Sequence, residues 1–363
     1  MNQITQTSTG IGISVIVPVH NGGETFRLCL ESLKQTLPPP REIIVVADGD
    51  SDGSWQLAKA LGFQVLISPS RGGPARARNF GACRAQGEIL FFVDADVTVP
   101  SDAISQMAMA FEREPYLAAV FGSYDDEPGE ANFLSQYRNL LHHYVHQAGR
   151  EEASTFWGAC GAIRREIFFA VGGFDERYGR PTEVISGIED IELGYRLKNA
   201  RYRIRLCKAL QVKHLKRWDM VSMVRTDLFV RALPWTELIL RNRRFINDLN
   251  TDMSGRASVI LVFLLVSSLL FSFWQPLALA AAGVMALMLL FLNVRLYRFF
   301  FRKRGLKFAL QSIPWHWLYF FYSGVAFAVG VIRHVVNFDR LGHRSLPLVS
   351  GPPNAESRRE RPR

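Results

Sequence analysis

The first part of the chain predicts an α/β domain with an open, mostly parallel sheet, and the later part predicts transmembrane helices. Short β-branched runs alternate with helical patterns from residue 13 to residue 93, which is typical of strand–helix–strand units. Residues 257–294 contain no charged side chain, and a membrane-spanning helix needs about 20 apolar residues. The uncharged run is therefore long enough for two spanning helices. The alternative is a buried helical hairpin of a soluble domain.

These patterns divide the chain into four parts. Residues 1–219 form the α/β domain, and residues 220–256 mix arginine with leucine and aromatic residues, as interfacial amphipathic helices do. Residues 257–333 form the membrane region, with two spanning helices joined by a turn at residues 274–276 and a third segment that either spans or re-enters. Residues 334–363 are a basic tail that we expect to be disordered.

Four strands are predicted in the α/β domain, at residues 13–17, 42–46, 64–67 and 89–93, with Pro18 ending the first. Predicted helices follow the first three, the last two at residues 55–61 and 75–85. Ligands of such sheets bind beyond the carboxyl ends of the strands. The loops HNGG, ADGDSDG and DAD all lie at these ends. Together they predict a nucleotide site, although Asp, Gly and Asn are also ordinary turn residues.

The stretch FFVDADVTVP ends a buried strand on two carboxylates, Asp94 and Asp96. Side chains two positions apart on a strand point to the same side, so the two negative charges require compensation. Mg²⁺ and Mn²⁺ prefer oxygen ligands and complete their coordination with substrate phosphates and water. The loop therefore predicts a metal that bridges to a diphosphate, although this short motif alone is common.

Six segments between residues 13 and 218 resemble the family 2 glycosyltransferases, which have the GT-A fold. They are SVIVPVHN, IIVVADGDSDGS, ARARNFGA, FFVDADV, GGFDE and GIEDIELGYRL, in the order and spacing of that family. The membrane region is similar to that of the membrane-bound bacterial members. The resemblance implies an inverting, metal-dependent transfer of a sugar from a nucleotide-diphosphate sugar, in cell-envelope or polysaccharide biosynthesis.

The resemblance also implies roles for individual residues. Asp190 is the expected catalytic base, and Asp48 is expected to contact the nucleobase with His20 close to that base. Asp96 is the expected metal-binding carboxylate, and Asp94 is expected nearer the ribose or the donor sugar. The residues expected in the nucleotide and donor site are Pro18, His20, Asn21, Asp48, Arg78, Asp94 and Asp96.

A pocket for the donor sugar and the acceptor is implied by the same resemblance. Its expected residues are Trp157, Gly158, Glu189, Arg217 and Trp218. Arg217 and Trp218 are similar to the end of the QxxRW motif of processive synthases, but His214 stands in place of the Gln, which argues against a processive enzyme. Because a neutral imidazole suits Mn²⁺, His214 is expected to join Asp94 and Asp96 as a metal ligand.

The expected cofactor is Mn²⁺ or Mg²⁺, and the expected partners are a nucleotide-diphosphate sugar, a lipid-linked or membrane-delivered acceptor and membrane lipids. Uridine is the favoured base, although Ala47 stands where the family commonly has a second aspartate. The net charge is +10, and basic residues flank the apolar spans, which fits anionic lipid better than nucleic acid.

Basic residues on both sides of the apolar hairpin predict that its two ends face the cytoplasm. We therefore expect a multi-pass protein of the cell inner (cytoplasmic) membrane, with the catalytic domain facing the cytoplasm. The four cysteines are far apart and agree with a reducing compartment.

Two other functions compete with sugar transfer. A nucleotidyltransferase would need a lysine near the first strand, and no lysine precedes Lys34. A membrane-anchored nucleotide-binding or regulatory protein with a degenerate site is the alternative from another class. Asp96 and Asp190 are both intact, which argues against degeneration.

Overall fold

The computed structural model describes residues 10–178, 187–242 and 253–341 of the 363-residue chain. The strands are β1 Ile13–Val19, β2 Glu42–Asp48, β3 Gln64–Ser68, β4 Ile89–Val93, β5 Val97–Thr98, β6 Leu117–Tyr124, β7 Glu152–Ala153, β8 Cys160–Arg164 and β9 Arg203–His214. The helices of the α/β domain are α1 Gly23–Lys34, α2 Ser54–Ala60, α3 Pro74–Arg84, α4 Ala103–Arg113, α5 Phe133–Ala148, α6 Arg165–Ala170 and α7 Glu189–Asn199.

The helices that follow the sheet lead into the apolar region. They are α8 Met220–Arg225, a π-helix at Thr226–Ala232, α9 Leu233–Asn242, α10 Met253–Phe271, α11 Ala278–Leu292 and α12 Val294–Leu341. The predicted turn at residues 274–276 lies between α10 and α11. Residues 334–341, predicted to begin a disordered tail, continue α12. Residues 342–363 of that tail, and residues 243–252 of the predicted interfacial segment, lie outside the described residues.

The described strands form one mixed sheet in the order β3-β2-β1-β4-β8-β6-β9-β5, with β7 paired to β9. Strands β1 to β4 are mutually parallel, as predicted. The other half of the sheet is mixed because β8 runs antiparallel between β4 and β6. The carboxyl ends of β1, β2 and β4 therefore meet at one edge.

Pro18 does not end β1, as the sequence had predicted. The strand continues to Val19 and pairs there with β2. The pairing of β1 with β4 covers only Ile13 to Ile16, so Pro18 lies beyond it. A strand tolerates proline where no neighbour needs the missing N–H. The strand thus carries the HNGG loop two residues further than predicted.

Both faces of the sheet are buried. Phe91 packs with α1 and α4 on one face, and Phe92 packs with α3 and α7 on the other. This alternation follows from the period of two along a strand. Parallel strands covered on both faces read as continuous apolar runs, which is why ILFFV carries no polar residue. The buried sheet gives the loops at its edge a rigid support.

The helices after the sheet include candidate membrane spans. Residues 253–271 and 294–336 are each long and apolar enough to cross a membrane, and α11 is a shorter apolar helix. Large apolar side chains on these helices are uncovered, among them Phe273 (85% exposed) and Phe291 (78% exposed). A soluble hairpin would bury such side chains. The exposed surface fits lipid contact.

Helix α12 is broken at Gly305, whose φ of +81° is left-handed. Before the break, Phe300 packs against Tyr137 of α5. Lys303 pairs with Asp126, so part of the basic flank contacts the α/β domain rather than lipid. After the break the helix runs through Pro314 without interruption. This continuity favours the spanning alternative over a re-entrant segment.

Candidate active site

A cavity of about 550 Å³ opens at the carboxyl ends of β1, β2 and β4. Most of the residues predicted from the sequence line it. They are Pro18, His20, Asn21, Asp48, Arg78, Asp94, Asp96, Trp157, Glu189, Asp190 and Trp218. Residues far apart in the chain thus share one concave site, which is the usual form of a binding site for a small ligand.

Asp48 organises the nucleotide side of the cavity. Its carboxylate accepts hydrogen bonds from the backbone N–H groups of Gly72 (2.8 Å) and Gly73 (2.7 Å). It thereby holds the loop between β3 and α3 against the end of β2. The next residue, Gly49, has a φ of +65° and lies so close to Arg71 that a Cβ would stand 2.6 Å from its backbone nitrogen. The turn at this point requires glycine.

His20 and Asn21 join the first two polar loops. Nδ1 of His20 lies 2.9 Å from the backbone oxygen of Asp48, and because a carbonyl only accepts, Nδ1 carries the proton. Asn21 Oδ1 accepts from the N–H of Ser51 at 2.8 Å, and the N–H of Asn21 donates to Asp50 at 3.0 Å. These bonds hold both loops at the cavity wall.

Arg78 connects the DAD loop to the start of α7. Its guanidinium donates to Asp94 at 2.6 Å and to Glu189 at 2.7 Å. The side chains of Arg78 and Glu189 are only 5% and 6% exposed. Burial raises the pKa of Glu189 to about 7, although Arg78 opposes this rise. Arg78 is therefore a positioning residue that compensates two carboxylates.

Asp190 begins α7 beside this ion pair. One carboxylate oxygen accepts from the N–H of Gly158 at 2.9 Å, and the other accepts from the N–H of Ile191 at 2.7 Å. Burial raises the pKa of Asp190, while these backbone donors and Arg78 oppose the rise. A Cβ on Gly158 would lie 3.4 Å from Asp190. Gly158 therefore lets the backbone approach and orient the carboxylate.

The three predicted metal ligands do not form one cluster. Asp94 is paired with Arg78, and no group of three or more His, Cys, Asp or Glu among the described residues has the geometry of a metal site. Nε2 of His214 and Oδ2 of Asp96 are 3.6 Å apart. A cation at about 2.0–2.2 Å from each would fit between them. The donor set of Asp96 and His214 fits Mn²⁺ or Mg²⁺ that takes its other ligands from phosphate and water.

Arg217 does not reach the cavity, contrary to the sequence prediction. Its side chain is 72% exposed and pairs with Glu130 at 3.0 Å. Its neighbours Lys216 and Trp218 line the cavity instead, with Lys216 lying 4.3 Å from the Trp218 ring. In an extended segment adjacent side chains point to opposite sides. That alternation is the signal by which Lys216 could have been chosen from the sequence.

Aromatic and imidazole rings form the floor near Trp157. Its ring meets Tyr124 edge-on at 4.7 Å, and His142 lies 5.1 Å away. Tyr124 also stacks on His214 at 4.3 Å. Burial lowers the pKa of His146 to about 3, so this ring is neutral. The sequence placed the histidines of α5 near an acceptor entrance, and His142 and His146 do line the cavity.

The sequence analysis missed the wall contributed by the membrane-proximal helices. Thr226, Val230 and Arg231 of the π-helix line the cavity, as does Trp235 of α9. π-helical turns are rare and often occur at functional sites. No sequence pattern distinguishes this π-helix from an ordinary interfacial helix.

Comparison with known proteins identifies the domain that carries the cavity. The family model described as Glycosyl transferase family 2 matches residues 14–171. This chain is a family 2 glycosyltransferase. The match contains the three polar loops at the sheet edge and ends before Asp190, so the family assignment rests on the donor half of the cavity.

Individual relatives share only part of the chain. Glycosyltransferase GlyG of Streptococcus pneumoniae is 30% identical over 126 residues, which cover 33% of this chain and 42% of GlyG. Succinoglycan biosynthesis protein ExoA of Rhizobium meliloti is 26% identical over 237 residues, covering 61% of this chain and 67% of ExoA. The chain spans less than half the length of GlyG, of YibD from Escherichia coli and of YdaM from Bacillus subtilis.

One solved structure extends the likeness to most of the chain. It is the mannosyltransferase PcManGT from Pyrobaculum calidifontis in complex with GDP-Man and Mn²⁺. The TM-score is 0.52 at 18% identity, and the alignment covers 91% of this chain and 88% of that chain. At this identity the likeness shows a shared fold. The α/β domain has the GT-A fold.

Proposed function

We propose that this chain is an inverting, metal-dependent transferase that moves a sugar from a nucleotide-diphosphate sugar to a lipid-linked or membrane-delivered acceptor. The observation that carries the proposal is Asp190, held by the N–H groups of Gly158 and Ile191 in the cavity that also contains Asp94 and Asp96. A base and a pair of donor-side carboxylates are the groups that such a displacement requires.

Asp190 acts as the general base. Its carboxylate takes the proton of the acceptor hydroxyl as that oxygen forms a bond to the anomeric carbon. The bond from the anomeric carbon to the diphosphate oxygen breaks in the same step, and the nucleoside diphosphate leaves. Because the base and the leaving group lie on opposite faces of the sugar, this single displacement inverts the anomeric configuration.

Asp96 and His214 would hold the metal, which neutralises charge on the diphosphate when bound. Arg78 keeps Asp94 and Glu189 compensated, so that neither carboxylate repels the donor. PcManGT is a mannosyltransferase whose complex contains a nucleotide-diphosphate sugar and Mn²⁺, which supports the same ligand class here. Uridine is the base that the sequence favours.

We also propose that the protein is multi-pass in the cytoplasmic membrane and that its cavity faces the cytoplasm. The uncovered apolar surfaces of α10, α11 and α12 support the first point. ExoA is a succinoglycan biosynthesis protein, which supports a role in polysaccharide or envelope biosynthesis. A regulatory protein with a degenerate site would have no reason to retain the two backbone hydrogen bonds that orient Asp190.

The test is release of nucleoside diphosphate from a panel of UDP-, GDP- and CDP-sugars by the full-length protein in native membranes. We expect turnover of one donor with Mn²⁺ or Mg²⁺, and a loss of at least ~10² in rate for Asp190→Asn, the scale of general-base catalysis. Normal turnover by Asp190→Asn would remove this residue from the mechanism. Asp102→Asn is the matched control, since Asp102 lies outside the cavity.

A further inference from the structure

The charges that line the cavity do not balance within the protein. Each carboxylate in its wall already faces a donor in the described part of the chain: Asp48 (Gly72 and Gly73), Asp94 and Glu189 (Arg78), Asp96 (His214) and Asp190 (Gly158 and Ile191). Three cations that also line it, Arg71, Lys216 and Arg231, have no carboxylate partner among the described residues. Arg71 lies by the Gly49 turn, on the nucleotide side. Lys216 and Arg231 are left on the membrane-proximal side.

Arg231 stands on an element that is fastened to a candidate membrane span. Asp227, one turn earlier in the π-helix, is 5% exposed. It accepts from Arg138 of α5 at 2.5 Å and from the hydroxyl of Tyr322 of α12 at 2.6 Å. The π-helix therefore links the catalytic domain to α12. Arg231 is presented to the cavity at a fixed height above the apolar helices.

The same wall carries an uncovered apolar surface. Val221 (74% exposed), Met220 (57%) and Phe229 (51%) lie on α8 and the π-helix. Trp218 and Trp235 line the cavity next to these elements. An apolar patch beside cations suits an amphipathic ligand at a membrane surface. A soluble anion would not need the patch.

Asp190 restricts the acceptor further. Burial raises the pKa of Asp190, and the charge of Arg231 opposes this rise, so the arginine acts on the base through space. A phosphate that attacked directly would already be ionised at neutral pH and would need no base. An acceptor that engages both Arg231 and Asp190 therefore has a phosphate and a separate hydroxyl.

We propose that Arg231 and Lys216 bind the phosphate or diphosphate of a lipid-linked saccharide, whose sugar hydroxyl attacks at Asp190. The proposal rests on the proposed function and names its acceptor class. The lipid chain would leave the cavity over the apolar surface of α8 and the π-helix. Phosphate and guanidinium form bidentate, charge-assisted hydrogen bonds, which makes Arg231 the main anchor.

The test is a titration of the full-length protein in neutral detergent micelles with hexadecyl phosphate, followed by tryptophan fluorescence. Trp157, Trp218 and Trp235 line the cavity and report binding there. We expect Arg231→Gln to weaken binding by ~10- to 100-fold, the loss of one hydrogen-bonded charge. Arg231→Lys should recover part of it. Arg225→Gln is the matched control, because Arg225 precedes the π-helix, is exposed and lies outside the cavity.

Other ligands separate the remaining readings. Hexadecanol should not bind at this site, and inorganic phosphate should not displace hexadecyl phosphate. Displacement by inorganic phosphate at similar concentrations would mean a site for free phosphate, and equal losses in Arg231→Gln and Arg225→Gln would mean general attraction to basic surface. Either result overturns the proposal.

Calorimetric titration with UDP and Mn²⁺ distinguishes a failure of this inference from a failure of the proposed function. Wild type and Arg231→Gln should bind UDP equally, which also shows that the variant is folded. Loss of UDP binding by folded Arg231→Gln would assign the arginine to the donor diphosphate and overturn the inference. If UDP, GDP and CDP all fail to bind wild type while hexadecyl phosphate still depends on Arg231, the nucleotide-sugar donor is wrong.

Discussion

Replacement of Arg78 by methionine tests whether this buried cation holds the donor side and the base side of the cavity together. The change leaves Asp94 and Glu189 without their common partner. Removing one partner of a buried ion pair costs about 3–5 kcal/mol. For a domain of this size, roughly 2–4 °C of melting temperature corresponds to each kcal/mol, so we expect a fall of about 6–20 °C.

The pH dependence of this loss has a defined sign. Arg78 lowers the pKa of Glu189, which burial alone raises, so Arg78→Met raises that pKa above about 7. The folded variant then takes up a proton that the unfolded chain does not hold. Its stability deficit should be smaller at pH 6 than at pH 8.

The assay is thermal unfolding of the full-length protein in detergent at both pH values. Arg76→Met is the matched control because Arg76 lies on the same helix and is exposed. Arg78→Lys, which keeps the charge but not the fork, should fall between wild type and Arg78→Met. A melting temperature of Arg78→Met equal to that of Arg76→Met would refute the bridging role of Arg78.

Three further predictions follow from single contacts. Glu189→Gln should remove a loss of stability of about 3 kcal/mol that wild type shows as the pH rises from 4.5 through about 7, since the folded state holds this proton more tightly; identical melting profiles from pH 5 to 8 would contradict it. Lys216→Ala should reduce turnover about tenfold, whereas exposed Arg217→Ala should leave it unchanged, and the reverse order would mean that Arg217 enters the site. Gly324→Leu should weaken the packing of α12 on α10 by about 1–3 kcal/mol, because a Cβ there would lie 2.4 Å from Phe263; an unchanged detergent melting temperature would exclude this contact.

The donor half of the site could be predicted from the sequence because its signals are local. β-branched runs, turn residues and two carboxylates in register all act within a few residues of the chain. They were sufficient to bring Asp48, Asp94 and Asp96 to one edge of the sheet. The antiparallel insertion of β8 could not be predicted, since strand order depends on long-range packing and not on the period of a strand.

The membrane-proximal half was less predictable for a different reason. The segment after residue 219 reads as amphipathic whichever face is inward, so the sequence did not separate Arg231, which lines the cavity, from Arg225, which does not. The buried bonds from Arg138 and Tyr322 to Asp227 decide that orientation. Those partners are far apart in the chain, and no short-range pattern announces them.

The central claim is that the cavity binds a nucleotide diphosphate through a metal held at Asp96. The most direct measurement is calorimetric titration of the solubilised full-length protein with UDP, GDP and CDP, each with Mn²⁺ and with chelator. We predict that one nucleotide binds, that chelator abolishes its binding, and that Asp96→Asn loses it while the protein stays folded. Absence of nucleotide binding in folded wild type, or binding that ignores both the metal and Asp96, would contradict the claim.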